Sequence, residues 1–313
     1  MSNVLKYSRL IKAEARRLGF SDCGITSAEP LTDDRERFID WLNNGYHGGM
    51  KYMENYFESR TDPRKLLDNA SSVIIVLQNY FTTDKQKDPS APILSKYAYG
   101  KDYHRVIRKK IKKLLEYIQN ELTPCNGRIF VDSAPVMERV LAYRAGLGWI
   151  GKNSLLNSKK YGSFFFIGGI IINIELAYDE PMKKDYCGEC ALCIDACPTK
   201  AIIQPRIIDS RKCISYLTIE YKGNKLPRNL KNQFRNRVFG CDICQDVCPW
   251  NKNARVHNEP ALKPNPLILE MTKDEWYDLD KAKYNHLFKG SAVKRLKYEG
   301  LKRNLDFLHP EGA

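Results

Sequence analysis

Residues 187–198 read CGECALCIDACP, residues 241–249 read CDICQDVCP, and Cys213 stands alone between them. The first stretch spaces as Cys187-x-x-Cys190-x-x-Cys193-x-x-x-Cys197-Pro198. This is the run of bacterial two-cluster ferredoxins, whose fourth cysteine ligates the other cluster. One [4Fe-4S] cluster then takes Cys187, Cys190, Cys193 and Cys248. The other takes Cys197, Cys241 and Cys244, and because the second run lacks its first cysteine, Cys213 is the candidate fourth ligand. Of ten cysteines only Cys23 and Cys125 remain, as free thiols. Zinc would use two CxxC pairs without residual ligands and leaves both Cys-Pro endings unexplained.

Disulfides fit poorly, because the opening MSNVLKYSRLIKAEARR is charged and has no apolar core of a signal peptide. A reducing cytoplasm is therefore expected. The most apolar stretch, FFFIGGIIINI (164–174), is too short to span a membrane and reads as a buried strand.

At 313 residues the chain is long for one small core, and some 175 residues precede the cysteines. The expected divisions are 1–177, 178–258 and 259–313. The net charge of +14 points to a polyanionic partner. Three stretches carry the excess: KDYHRVIRKKIKK (101–113), the acid-free KGNKLPRNLKNQFRNR (222–237) and KRLKYEGLKR (294–303). Together they make nucleic acid, RNA above all, the leading partner class.

Local patterns outline the first division. Val4, Leu5, Leu10, Ile11, Ala15 and Leu18 recur at helical spacing before Gly19, and residues 33–41 form a second helix stopped at Asn43-Asn44-Gly45. Residues 72–78 (SVIIVLQ) and 129–131 (IFV) read as strands with a basic helix between them. A helix over 136–145 is entered through Pro135, which puts Asp132 and Ser133 on a strand-to-helix turn. The GxGxxG match at Gly146, Gly148 and Gly151 follows a helix instead of a strand, so it is no dinucleotide fingerprint; the glycines let backbone approach a ligand.

The segments YAYGKDYH (97–104), VDSAPVMER (131–139) and AGLGWIGKN (145–153), followed by the cysteine runs, resemble the epoxyqueuosine reductases over about residues 1–305. The resemblance implies a nitroreductase-like α/β cobalamin-binding domain, a ferredoxin-like two-[4Fe-4S] domain and a short C-terminal helical segment. It implies reduction of epoxyqueuosine to queuosine in the anticodon loop of tRNA, with electrons from an external low-potential donor passing through the clusters to cobalamin, held as cob(II)alamin. Such enzymes are related to reductive dehalogenases. Asp132 matches the family's proton donor, and its surroundings should then favour the protonated carboxyl. Lys152 and Asn153 match corrinoid contacts, with Arg60 and Tyr97 as weaker matches. The DxHxxG cobalamin motif is absent, since Arg-Val-Ile follows His104; His104 is read as a structural hydrogen-bonding residue. Lys222, Lys225 and Arg228 are the expected tRNA contacts, and Ser291–Leu305 resembles the start of a helical repeat cut short at Ala313. A monomer is expected. The competing readings are a corrinoid dehalogenase acting on a small molecule and a non-catalytic electron carrier with an RNA-binding surface.

Overall fold

The computed structural model describes residues 3–309; the expected outer limits at residues 1 and 313 lie outside them. Four strands, β1 (Asp22–Ser27), β2 (Ser72–Asn79), β3 (Gly127–Phe130) and β4 (Phe165–Ile172), make an antiparallel sheet in the order β1–β2–β4–β3. The mixed α/β class therefore takes its α+β form.

Strand β2 is buried along its whole length. Successive side chains leave a strand on opposite faces, so such a strand needs a cover on each side. Ile74 and Val76 meet helices α1 (Asn3–Arg17) and α2 (Tyr103–Tyr117) through Ile11, Ala15, Ile107 and Ile111. Val73, Ile75 and Leu77 meet helix α3 (Glu138–Arg144) through Val140 and Leu141. The basic residues of α2 are consequently turned outward, except Lys110, which bonds to the Gly19 carbonyl and Glu259.

Gly168 and Gly169 interrupt β4 for a packing reason. A Cβ on Gly169 would collide with the Ile74 carbonyl and stand 2.6 Å from the Phe130 ring. Gly169→Ala is expected to destabilise the fold by about 1–3 kcal/mol, the usual penalty of overpacking, measured as a lower denaturation midpoint at unchanged slope.

Helix α3 starts at Glu138, two residues later than the expected 136, because residues 131–137 form a bent turn in which Asp132 adopts φ +55°. Pro135 therefore does not open the helix. After α3, Gly146 turns at φ +70°, and Trp149–Ile150 pairs antiparallel with Leu156–Asn157. A short hairpin and then β4, instead of a helix, directly follow the glycines, which is not the context of a dinucleotide motif.

The three expected divisions do not own separate cores. Ile93–Leu94 pairs in parallel with Arg237–Phe239, and one hydrophobic cluster joins Leu94 and Tyr99 to Val238, Phe239, Trp276, Leu301 and Leu305. The last helix, α4 (Lys297–Leu308), docks there; Arg303 donates to the carbonyls of Tyr221 and Gly223, and Arg295 pairs with Glu220 at 2.8 Å. Much of the third basic stretch is thus spent on internal contacts. Among the described residues no helix is long and apolar enough to cross a membrane.

Candidate active site and iron–sulfur centres

The turn after β3 carries Asp132 to the side chains that open α2. Asp102 caps α2 by accepting from the His104 N–H, which fixes the first turn and aims Tyr103 and His104 across the sheet end. Asp132 Oδ2 accepts from Tyr103 Oη at 2.9 Å and lies 2.9 Å from His104 Nε2. The other imidazole nitrogen, Nδ1, is 2.7 Å from Asp102 Oδ1. Beneath them the Tyr103 ring stacks on Phe166 with centroids 4.0 Å apart, and Tyr97 meets both rings edge-on.

This arrangement decides where the proton sits. Burial raises the Asp132 carboxyl, but the bond from His104, that residue's charge and the Tyr103 hydroxyl outweigh it, so Asp132 is held below the usual carboxylate range. For His104 burial acts downward, and the bonds to Asp102 and Asp132 with their charges overcome it, pushing the imidazole up to about 9. The side chain of Asp132 is 49% exposed, which screens these couplings without reversing them. These surroundings favour an ionised Asp132 carboxylate beside a charged His104, the opposite direction from the expected protonated form. Glu138 is the carboxylic acid kept neutral. Burial first and then the Asp132 charge push it up to about 8, while its Oε1 accepts the Asp132 N–H at 2.6 Å.

Asp132 is also an expected cofactor contact, and the other four expected contacts fall in three places. Arg60 donates to the Tyr52 carbonyl, while its buried Nε has no partner among the described residues; Asp62 is bound by Arg64 instead. Tyr97 is partly buried and bridges from Tyr103 to Phe239, two residues before Cys241. Lys152 is half-buried and Asn153 buried, both on the tight turn 151–154, where a Cβ on Gly151 would stand 3.0 Å from Asn153 Oδ1. In that turn Ser154 adopts φ +62° and buries a hydroxyl without a partner among the described residues. Two orphaned buried polar atoms, Arg60 Nε and Ser154 Oγ, suit a large polar cofactor better than a closed core.

Among the described residues no three acidic, histidine or cysteine side chains converge on a single ion. The cysteines stand in looser groups, as cube ligands must, each binding its own iron. Cys193 feels the charges of Cys187, Cys248 and Cys190, and Cys248 those of Cys187 and Cys190. Cys213 feels Cys197, and Cys244 feels Cys213 and Cys241 first and Cys193 of the other group last. Donors already point at sulfur: the Ala201 N–H lies 3.2 Å from Cys197 Sγ, Trp149 Nε1 lies 3.4 Å from Cys187 Sγ, and backbone N–H groups of Ser215 and Tyr216 face Cys213. Asn153 Nδ2 reaches the Cys244 carbonyl at 3.5 Å, so the turn beside the orphaned hydroxyl also abuts the second cysteine group.

Three features of this region escape the sequence reading. Arg139 on α3 donates to the Ser154 carbonyl, tying the helix after the Asp132 turn to the 151–154 turn. Trp149, Tyr186 and Trp250 form an aromatic shell beside Cys187 and Cys248, with Trp149 and Trp250 centroids 4.9 Å apart. His104 is structural in reach but touches Asp132 directly. The Asp-x-His spacing at 102–104 was the available signal, and only tertiary packing tells where it points. Lys222, Lys225 and Arg228 are all exposed, on the loop held by Arg303.

Fold and site together define an α+β redox protein with two iron–sulfur centres. Residues 60–133 match the family model described as epoxyqueuosine reductase QueG, DUF1730, and residues 186–251 match a 4Fe-4S double cluster binding domain. The chain is 51% identical over 308 residues to the epoxyqueuosine reductase of Cellulophaga algicola, covering 98% of this chain and all of that one. A solved epoxyqueuosine reductase with an epoxyqueuosine-modified tRNA-Tyr stem loop superposes with a TM-score of 0.90 at 29% identity, covering 97% of this chain and 80% of that one. The catabolic reductive dehalogenase NpRdhA shares the fold at 17% identity and a TM-score of 0.50, covering 97% of this chain and 38% of that one. The chain belongs to the epoxyqueuosine reductase family.

Proposed function

We propose that this protein reduces epoxyqueuosine to queuosine in tRNA, with Asp132 delivering protons to the epoxide oxygen and two [4Fe-4S] clusters feeding electrons to cobalamin. What carries the reading is full-length identity of 51% to an epoxyqueuosine reductase. Residues 1–177 hold the chemistry and 178–258 the clusters, and the described residues from 259 on form a helical buttress, although the three share packing.

Cobalamin, when bound, supplies electron density to the epoxide carbon; the protein positions it and handles protons. Arg60, Tyr97, Lys152 and Asn153 are the residues that would hold it, and the orphaned Arg60 Nε and Ser154 Oγ fit that task. Opening a C–O bond builds negative charge on oxygen, and Asp132 stands half exposed at the open end of its hydrogen-bonded group, where that charge would develop. An electron carrier without catalysis leaves this group with no task. The cysteine groups 187/190/193/248 and 197/213/241/244 hold the cubes, and the latter, next to Asn153, is the one that passes electrons on.

The reading also takes the protein to be a cytoplasmic monomer served by an external low-potential donor. Turnover of an epoxyqueuosine-bearing stem loop under anaerobic reduction tests it: no queuosine from chains loaded with clusters and cobalamin would sink it. Lys222, Lys225 and Arg228 have no ion-pair partner among the described residues and border the cluster loop. Replacing all three by Ala is expected to weaken stem-loop binding and to flatten the log–log salt slope by about 2 to 3.

A further inference from the structure

Epoxide removal breaks both C–O bonds, forms a C=C bond and releases the oxygen as water, consuming two electrons and two protons. The electrons enter from the external donor through the clusters. One aspartate carries one proton at a time and Asp132 rests ionised, so it must be charged twice within each turnover. The structure shows the neighbour that can do it. Asp102 Oδ1, His104 Nδ1, His104 Nε2 and Asp132 Oδ2 form an unbroken chain with links of 2.7 and 2.9 Å. A carboxylate on one imidazole nitrogen orients the ring and favours the imidazolium, leaving the other N–H aimed at its target.

We propose that His104 is the proton source for Asp132, with Asp102 as the residue that orients and charges it. Because Asp132 rests ionised beside the charged His104, each proton passes from His104 Nε2 to Asp132 as charge builds on the opened epoxide oxygen. Asp132 hands the first to that oxygen and the second to the resulting hydroxyl, which departs as water. His104 is 28% exposed and refills from solvent. It acts through Asp132 and is a positioning and proton-storing residue.

The groups that face this chain are consistent with a stored cation. On its own helix His104 is flanked by Asp102 and Tyr103, with Arg105 acting on Asp102. From the turn come the Asp132 charge and the neutral, partly buried Glu138. Tyr97 and Tyr52 couple to Asp132, and loss of hydration holds both above the ordinary tyrosine range. Arg295 is the opposing cation, and Glu220 already pairs with it.

The sign of the pH dependence follows. The folded value lies above the ordinary 6.5, so the imidazolium and its bonds are intact below that pH and are lost as pH rises through about 9. The proposal rests on the function proposed above, so wild-type turnover of the stem loop tests that reading separately. In 15N-histidine NMR of the corrinoid-free protein, one imidazole is expected to be doubly protonated at neutral pH and to titrate near 9, and its signal should vanish in His104→Gln. In the loaded enzyme, His104→Gln should lower neutral-pH turnover about 10²-fold or more and move the alkaline fall of activity to lower pH, with stem-loop binding and cluster spectra kept. Asp102→Asn retains the imidazole and should lower its titration and the alkaline limb together. A neutral His104 at neutral pH, a wild-type pH profile in His104→Gln, or an Asp102→Asn variant that shifts the NMR titration but not the turnover limb overturns the relay.

Discussion

Asp132→Asn is expected to lower turnover of an epoxyqueuosine-bearing stem loop by about 10²–10⁴-fold, the range over which a positioned acid contributes, while the cluster spectra stay unchanged. The substitution isolates proton transfer unusually well at this position. Asp132 sits at φ +55°, a left-handed conformation that Asn adopts about as readily as Asp and that Ala would strain. The Asn carbonyl can still accept from Tyr103, and its backbone N–H still reaches Glu138. What disappears is the carboxylate that receives a proton from His104 and passes it on. The cysteine groups lie on other elements, so iron and sulfide content should match the wild type. Turnover within a few-fold of wild type would remove Asp132 as the acid. A loss of clusters would show that the residue is structural.

The outcome of that experiment bears on how the site was legible. The motif residues were visible as types: Asp132 on a turn after a strand, Lys152 and Asn153 after a glycine turn, eight cysteines in two runs. The strand and helix assignments followed from β-branched richness in β2 and 3.6-residue periodicity in α1 and α2, because these patterns are local. Charge state was not local. Asp132 was expected to favour its protonated form because burial raises a carboxyl, and burial does act that way here; what reverses it is His104, 28 residues upstream and brought over by α2. The start of α3 slipped to Glu138 for a related reason, since the Glu138 carboxyl is engaged with the Asp132 backbone and the residues before it bend to allow this. Arg139 reads in sequence as one more surface cation on a short helix. Its role as a tie to the Ser154 carbonyl exists only once the 151–154 turn, beyond the rest of α3 and the Gly146 turn, folds back against the helix. The packing shared across the domain divisions was not legible, because the Ile93–Leu94 strand finds its partner at Arg237–Phe239, a pairing between short segments with no periodicity to announce it.

Cys213→Ser is expected to remove half the iron and sulfide and to bring turnover to background, leaving one cluster spectroscopically intact. Cys213 is the ligand with least support from spacing, because it belongs to neither run. Its position is nonetheless built. Asp209 caps the turn Ser210–Lys212, which delivers Cys213 to the start of the helix Ile214–Ile219, where the Ser215 and Tyr216 N–H groups face its sulfur. N–H groups aimed at a thiolate stabilise it and tune the potential of the cluster it holds. A serine oxygen in that place is a harder, protonated ligand, and the cube would be held by Cys197, Cys241 and Cys244 alone. Those three surround the centre next to Asn153, so its loss interrupts the only proposed route from the other cluster to the site. Cys248→Ser is the informative contrast. Although Cys248 belongs to the second run, it stands with Cys187, Cys190 and Cys193, so its replacement should destroy the other cluster and spare the one that Cys213 serves. Electron paramagnetic resonance of the two reduced variants should therefore show complementary halves of the wild-type signal. If both variants lost the same cluster, the exchange of ligands between the runs would be wrong, and if Cys213→Ser kept its full iron content, Cys213 would be an ordinary buried thiol.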